Sequence, residues 1–220
     1  RTSGELLGAY RALTFALANL TESRDPETGA HLERTRTYCA LLAELLAHHE
    51  RYRDVATPQF IDGIYQAAPL HDIGKVAVPD SILFKPAGLE ADEYERMKVH
   101  TTVGGAMMDR VIRQSGADIF RVAQKICLYH HERWDGRGYP EGLAGESIPV
   151  EARIMAVADV YDALLSKRVY KDAMGMREAV ERLRAGAGTQ FDPTMTEIMV
   201  GKIGVFEAAF LRYQDEEPVA

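Results

Sequence analysis

The chain has 220 residues, which is enough for one good-sized domain or two small ones. Its apolar fraction of 46% and charged fraction of 27% exclude wholesale disorder, collagen-like repeats and a disulfide scaffold. The net charge of −7 argues against general coating of nucleic acid, so an anionic substrate would require local positive charge from bound metals or from a few basic side chains.

No apolar stretch approaches the ~18 to 20 residues that span a bilayer. The most apolar run, 154–165, is interrupted by Asp159 and Asp162. The two cysteines, Cys39 and Cys127, lie in helical patterns far apart in sequence. This usage favours a reducing compartment over a disulfide framework, and it predicts a cytoplasmic protein without a membrane span.

Apolar residues recur every three or four positions along most of the chain, which predicts helices. We expect them at residues 6–20, 27–49, 59–71, 89–113, 118–131, 150–167, 176–184 and 193–212. The helix at 89–113 is expected to be loosened at Gly104-Gly105, and the Gly- and Pro-rich segment 135–149 is predicted to be a loop. No period-2 strand of useful length is present, so the predicted fold class is all-α, a compact helical bundle.

Three parts are predicted along the chain. Residues 1–21 form a helix that is either the start of the domain or, as we favour, a linker from a sensory or receiver module upstream. Residues 22–212 form the main domain, and residues 213–220 form an acidic, frayed tail.

The histidines carry the strongest functional signal. Glu27 and His31 are four residues apart, so they share a helix face and can reach a common ion. His71 and Asp72 stand at the end of an apolar helix, where a turn can direct both side chains into a cavity. His130 continues an apolar helical stripe and is expected to point inward.

A single inward histidine is more often an ordinary core residue than a ligand. Several buried imidazoles and carboxylates without partners would cost on the order of several kcal/mol, so a shared metal cluster is the better explanation here. His48 and His49 differ, because they lie among charged residues at a helix end. There the helix dipole favours histidine, and no site is expected.

Asp159 and Asp162 lie three residues apart on a helix that is apolar nearly all round and should be buried. Two buried carboxylates require cations. Asp159 is predicted to be a metal ligand, and Asp162 is predicted either to orient a ligand or to pair with a basic residue. The alternative for both is an ordinary buried salt bridge.

These residues also carry a resemblance to a known family. The segments His71-Asp-Ile-Gly-Lys75 and His130-His-Glu-Arg-Trp-Asp-Gly-Arg-Gly-Tyr-Pro140 resemble the two signatures of the HD-GYP family, the HD-domain phosphohydrolases that degrade cyclic di-GMP. Further similarity is found at residues 24–31, 84–88, 97–100, 141–149, 152–159 and 191–193. The resemblance covers residues 22–200 and implies a compact helical HD-domain bundle with a helical N-terminal extension.

The resemblance implies a cluster of two or three divalent transition-metal ions. Asp72 would be the bridging carboxylate, and Lys75 would be a catalytic lysine beside it. Iron or manganese is the family expectation, while zinc or nickel also suits mixed imidazole and carboxylate ligands. The implied metal ligands are Glu27, His31, His71, Asp72, His100, His130, His131 and Asp159.

Tyr139, Arg168 and Lys171 match the family positions that hold the cyclic dinucleotide, and Asp162 matches a position behind the metal ligands. Without the resemblance, Arg168 and Lys171 would indicate a solvated basic turn, and the glycines around Tyr139 would indicate plain turn chemistry. The loop that contains Tyr139 could instead bind a signalling partner.

The leading hypothesis is a metal-dependent phosphodiesterase that hydrolyses cyclic di-GMP to pGpG, GMP or both in bacterial second-messenger signalling, since paired cations suit phosphodiester hydrolysis. Two alternatives remain: a catalytically weak cyclic dinucleotide receptor, and a phosphodiesterase for another cyclic dinucleotide. No DNA or RNA polymer is expected as a partner, and a homodimer through the N-terminal helix is expected by analogy with other signalling proteins.

Overall fold

The computed structural model describes residues 3–22, 29–166 and 173–213. Over these ranges the chain is helical and contains no strand, only two isolated bridges, so the predicted all-α class is confirmed. Short 3-10 turns occupy Ala68–Leu70, Ile73–Ala77 and Gly145–Ser147. The α-helices in chain order are α1 (Ser3–Glu22), α2 (Gly29–Leu46), α3 (Pro58–Ala67), α4 (Asp80–Leu83), α5 (Ala91–Ser115), α6 (Ile119–Tyr129), α7 (Val150–Leu165), α8 (Met176–Gly186), α9 (Pro193–Gly201) and α10 (Ile203–Arg212).

Local capping chemistry sets several of these bounds. Helix α5 begins with a capping box, in which Glu90 and Glu93 each accept a hydrogen bond from the other's backbone N–H. It ends at Gly116, whose φ of 66° is left-handed and suits glycine. Helix α9 begins behind Asp192, whose side chain accepts hydrogen bonds from two backbone N–H groups, and Pro193 fills the first helical position.

Two expectations about helix continuity were wrong. Gly104 and Gly105 do not loosen α5, because they let it pack closely against α6: a Cβ at Gly105 would lie 2.4 Å from the Leu128 side chain. The expected last helix is divided at Lys202, whose φ of −123° and ψ of 25° are not helical. Glycines at 201 and 204 flank this residue, and their low helix propensity favours the break there.

Helix α7 lies at the centre of the main hydrophobic core and packs against α2, α6 and α8. Its side chains at Ile154, Met155 and Val157 are 0% exposed, as the nearly uniform apolar pattern predicts. Cys39 and Cys127 are free thiols buried in the same core. Within the described ranges, no helix combines the length and the apolarity that crossing a membrane requires.

The last turns of α1 belong to the packed structure. Ala18, Thr21 and Glu22 are buried, and Arg11 donates two hydrogen bonds of 2.9 Å to the carboxylate of Asp62 on α3. Helix α1 also contacts both 3-10 turns around residues 71 and 72. A boundary between residues 21 and 22 therefore falls inside a continuous packed helix, and the division into parts stays a prediction.

Candidate metal centre and substrate cavity

The predicted ligands come from separate parts of the chain that converge on one place. Five elements contribute: α2, the turn after α3, α5, the end of α6, and α7. The residues they carry there are His31, His71, Asp72, His100, His130, His131 and Asp159.

The turn that carries His71 and Asp72 is shaped by its neighbours. Pro69 lies in the first 3-10 turn, where its missing N–H ends the preceding α-helix. Gly74 lies in the second, and a Cβ there would be 1.9 Å from the backbone oxygen of His100. Only glycine allows α5 to approach this closely, so Gly74 brings His100 beside Asp72.

The potential ligand atoms form two adjacent groups. In each group, every atom lies within 4.8 Å of the others. The first group contains Asp72, His100, His130 and His131, and the second contains His31, His71 and Asp159.

Asp72 stands between the two groups. Its Oδ1 is 3.3 Å from His100 Nε2 and 3.5 Å from His130 Nε2. Its Oδ2 is 3.3 Å from His71 Nε2 and 2.7 Å from Lys75 Nζ. Each oxygen thus faces a different group, which is the arrangement that a bridging carboxylate requires.

Three of the imidazoles are oriented by backbone carbonyls. Nδ1 of His71, His100 and His130 lies 3.0, 2.7 and 2.8 Å, respectively, from a carbonyl oxygen three or four residues earlier. A carbonyl only accepts, so Nδ1 of each ring carries a proton and Nε2 is the atom that faces the cluster, with a lone pair available for a metal when the ring is neutral. These three Nε2 atoms are buried without a hydrogen-bond partner among the described residues. Buried nitrogen acceptors of this kind fit metal ligation.

A fourth imidazole, His31, is oriented by a carboxylate. Its Nδ1 is 2.9 Å from Asp162 Oδ2, and its Nε2 is 3.8 Å from Asp159 Oδ1. Asp162 also accepts hydrogen bonds of 2.6 and 3.0 Å from Arg34 and one of 3.2 Å from Ser166. Asp162 therefore both orients a predicted ligand and pairs with a basic residue, two arrangements that the sequence left as alternatives.

The charge states suit this arrangement. Burial disfavours ionised Asp72, but Lys75 and His71 outweigh it and hold the pKa of Asp72 well below its usual value. Burial also lowers the pKa of His71, yet the charge of Asp72 dominates and raises it to about 9. Burial lowers the pKa of His100 to about 4 and that of His131 well below its usual value. A metal would bind the neutral rings directly and would displace the proton of His71.

A cavity of about 180 Å³ opens over the first group. The ring of Tyr139 stacks on His131 there, with centroids 4.8 Å apart and an interplanar angle of 26°. The sequence did not point to several of the other lining residues. Among these are Tyr94, Arg133, Arg137 and Gln190.

The loop that supplies Tyr139 is fixed by close packing and by a carboxylate. A Cβ on Gly138 would lie 2.4 Å from the backbone nitrogen of Arg133, so only glycine fits. Buried Glu132 accepts hydrogen bonds of 2.8 and 3.0 Å from the backbone nitrogens of Glu141 and Gly142. The loop is thereby tied to the end of α6 that carries the two histidines.

A sequence model of the HD domain family matches residues 16–195. The chain belongs to the HD domain family. A "probable cyclic di-GMP phosphodiesterase" of Vibrio cholerae is 47% identical over 219 residues, 99% of this chain and 50% of that protein. A "3'3'-cGAMP-specific phosphodiesterase 2" of the same organism is 43% identical over 196 residues, 89% of this chain and 35% of that protein.

The fold of this HD domain is also found in solved structures. A cyclic GMP-AMP-specific phosphodiesterase of V. cholerae matches with a TM-score of 0.62 and 20% identity, over 93% of this chain and 51% of that one. The chain spans half or less of the length of the two V. cholerae relatives described above. The predicted HD-GYP resemblance is confirmed by the family match and by the names of these relatives.

Glu22 is a residue of this HD domain that the sequence analysis missed. It ends α1, is 3% exposed and has its Oε1 buried without a hydrogen-bond partner among the described residues. Burial raises its pKa to about 7, against the opposing charge of Lys75. The sequence did contain a signal for this residue. Glu22 lies one turn after Ala18 on the inward face of an apolar helix, a position where a carboxylate is expected to be buried.

Three predicted residues, Glu27, Arg168 and Lys171, lie outside the described residues, and their roles stay predictions. His48 and His49 belong to neither ligand group. The structure brings together the other seven predicted ligands, with Lys75 and Asp162 beside them and Tyr139 at the cavity.

Proposed function

We propose that this HD domain is a metal-dependent phosphodiesterase that hydrolyses cyclic di-GMP to pGpG, GMP or both in bacterial second-messenger signalling. The observation that carries the proposal is the pair of ligand groups on either side of Asp72. The substrate is proposed because similar proteins carry that activity in their names.

Bound divalent cations would supply positive charge to the phosphoryl oxygens and would activate water for attack at phosphorus. The side chains of this domain have separate tasks. Asp72 stays ionised and spans the two groups. Lys75, 2.7 Å from Asp72, stabilises negative charge and delivers a proton as the P–O3′ bond breaks and the ribose 3′-oxygen leaves.

Iron or manganese is the proposed metal, with zinc or nickel as the other candidates, because the ligands are imidazoles and carboxylates without a thiolate. Two ions account for the two described ligand groups. A third ion would use Glu27 as a further ligand. Tyr139, Arg168 and Lys171 are proposed to bind the dinucleotide on the strength of the motif resemblance.

A second candidate is hydrolysis of another cyclic dinucleotide. The specific observation in its favour is that a relative named for 3′3′-cGAMP is 43% identical to this chain, close to the 45% of one named for cyclic di-GMP. A receptor with little turnover is less well supported, because the seven predicted ligands within the described residues lie close together in two groups.

The outer face of α1 supports a homodimer. Leu13, Leu17 and Leu20 are 62%, 49% and 67% exposed, and their spacing of four and three residues places them along one stripe, as in a two-stranded coiled coil. A second copy of α1 is the proposed partner. Light scattering should give a dimer for the wild type and a monomer for Leu13→Glu/Leu17→Glu, and an unchanged mass would contradict this.

A cytoplasmic location is proposed because both buried cysteines are free thiols, which a reducing compartment maintains. The loop around Tyr139 is proposed as a contact surface for a signalling partner.

The test of the activity is hydrolysis of cyclic di-GMP by protein purified without oxygen and loaded with Fe(II) or Mn(II), with products resolved by chromatography. Asp72→Ala is the inactive variant, and Asp109→Ala, a surface carboxylate paired with Arg113, is the matched control. Metal-dependent pGpG or GMP from the wild type and the control, absent in Asp72→Ala, is expected. Hydrolysis of 3′3′-cGAMP alone would favour the second candidate, and binding without turnover would favour a receptor.

A further inference from the structure

The ring of Tyr139 has little free surface for a nucleobase. His131 stacks against it at 4.8 Å, and the ammonium of Lys98 lies over it, 5.4 Å from the ring centroid. Tyr94 approaches it edge-to-face, with centroids 6.2 Å apart and planes at 84°. A base that stacks at this cavity therefore requires another aromatic face.

Tyr94 has such a face. It lies on α5 upstream of His100, lines the same cavity as His131 and Asp159, and is 46% exposed. Lys98 Nζ lies 4.9 Å from its ring centroid, an arrangement that holds the ring by a cation–π contact. A ring that is held in place loses little conformational entropy when a ligand stacks on it.

The cation that lies over this ring already has a carboxylate partner. The ammonium of Lys98 is 2.5 Å from the carboxylate of Glu95, so its charge is largely compensated. Aromatic side chains stack on any nucleobase because each base has a π-face. A half-exposed tyrosine beside the candidate metal centre thus suits the base of a nucleotide whose phosphate reaches the centre.

We propose that Tyr94 is a substrate-binding residue whose ring stacks on a purine base of the cyclic dinucleotide at the cavity mouth. The proposal rests on the proposed function and deepens it, because it assigns a base-binding surface that the motifs do not contain. Lys98 acts as a positioning residue that holds the Tyr94 ring.

The test is steady-state kinetics of metal-loaded Tyr94→Ala and Tyr94→Phe with cyclic di-GMP. Loss of one stacking contact should raise KM by roughly 10- to 100-fold in Tyr94→Ala, with kcat little changed because Tyr94 does not contact the reacting atoms. Tyr94→Phe keeps the ring and should retain the wild-type KM. Val99→Ala, at another exposed position of α5, is the matched control and should also match the wild type.

Metal content and the melting temperature of each variant complete the experiment. If the wild type hydrolyses cyclic di-GMP and Tyr94→Ala keeps its KM, the stacking proposal is overturned while the proposed function stands. Loss of metal or of thermal stability in Tyr94→Ala that accounts for the change would also overturn it, because the role would then be structural. If the metal-loaded wild type neither binds nor hydrolyses a cyclic purine dinucleotide, the proposed function fails and the inference fails with it.

Discussion

Replacing Asp162 by alanine removes the carboxylate that holds both His31 and Arg34. Arg34 is 1% exposed and Asp162 is 0% exposed, so the substitution removes one partner of a buried ion pair. Breaking a buried pair in this way costs about 3–5 kcal/mol. Arg34 keeps hydrogen bonds of 3.0 Å to the Tyr213 carbonyl and to Ser166, so we expect the lower end, about 3 kcal/mol.

The same substitution removes the carboxylate that contacts His31 Nδ1, and loss of a group behind a metal ligand typically costs 10- to 100-fold in metal affinity. Urea unfolding of the chelator-treated protein measures the loss of stability, and metal titration measures the loss of metal affinity. The double variant Arg34→Met/Asp162→Leu removes both charges and should recover part of the lost stability without recovering metal affinity. Unchanged stability and unchanged metal affinity in Asp162→Ala would refute the reasoning.

Three further variants probe the packing and charge of the site. Gly74→Ala places a Cβ 1.9 Å from the His100 backbone oxygen and should abolish folding. Gly63→Ala is the control: its Cβ would lie 3.7 Å from the nearest atom, so this variant should melt at the wild-type temperature or higher. A folded Gly74→Ala would contradict the packing argument. Glu22 has its pKa raised to about 7 from 4.5, so the metal-free protein should lose up to about 3 kcal/mol of stability as the pH rises through that window. Urea unfolding at pH 5 and pH 8 should show a smaller loss of stability in Glu22→Gln than in the wild type. An identical pH dependence in the two proteins would contradict the raised pKa of Glu22.

Sequence alone predicted the elements that depend on local patterns. The apolar residues of α7 repeat on nearly every face, which predicted its burial. The helical spacing along most of the chain, without a period-2 strand, predicted the all-α class. The convergence of His71 with His100, almost 30 residues later in the chain, did not follow from periodicity. That part depended on the motif resemblance, because pattern rules describe neighbours along the chain and not contacts across it.

Other features require three-dimensional packing. Arg34 pairs with Asp162 across 128 residues, and no local pattern distinguishes it from a surface arginine. Gly104 and Gly105 looked like helix breakers because propensity counts only backbone entropy, whereas their small size lets α6 pack closely. Glu22 was assigned to no site because its burial depends on where α1 packs.

The most direct test of the central claim is a titration of chelator-treated protein with Fe(II) or Mn(II) under anaerobic conditions, with hydrolysis of cyclic di-GMP followed at each metal equivalent. Because the described ligands form two groups that share Asp72, activity should depend on more than one bound equivalent and should be absent throughout in Asp72→Ala. Full activity in the metal-free protein, or no hydrolysis with both groups occupied, would contradict the account.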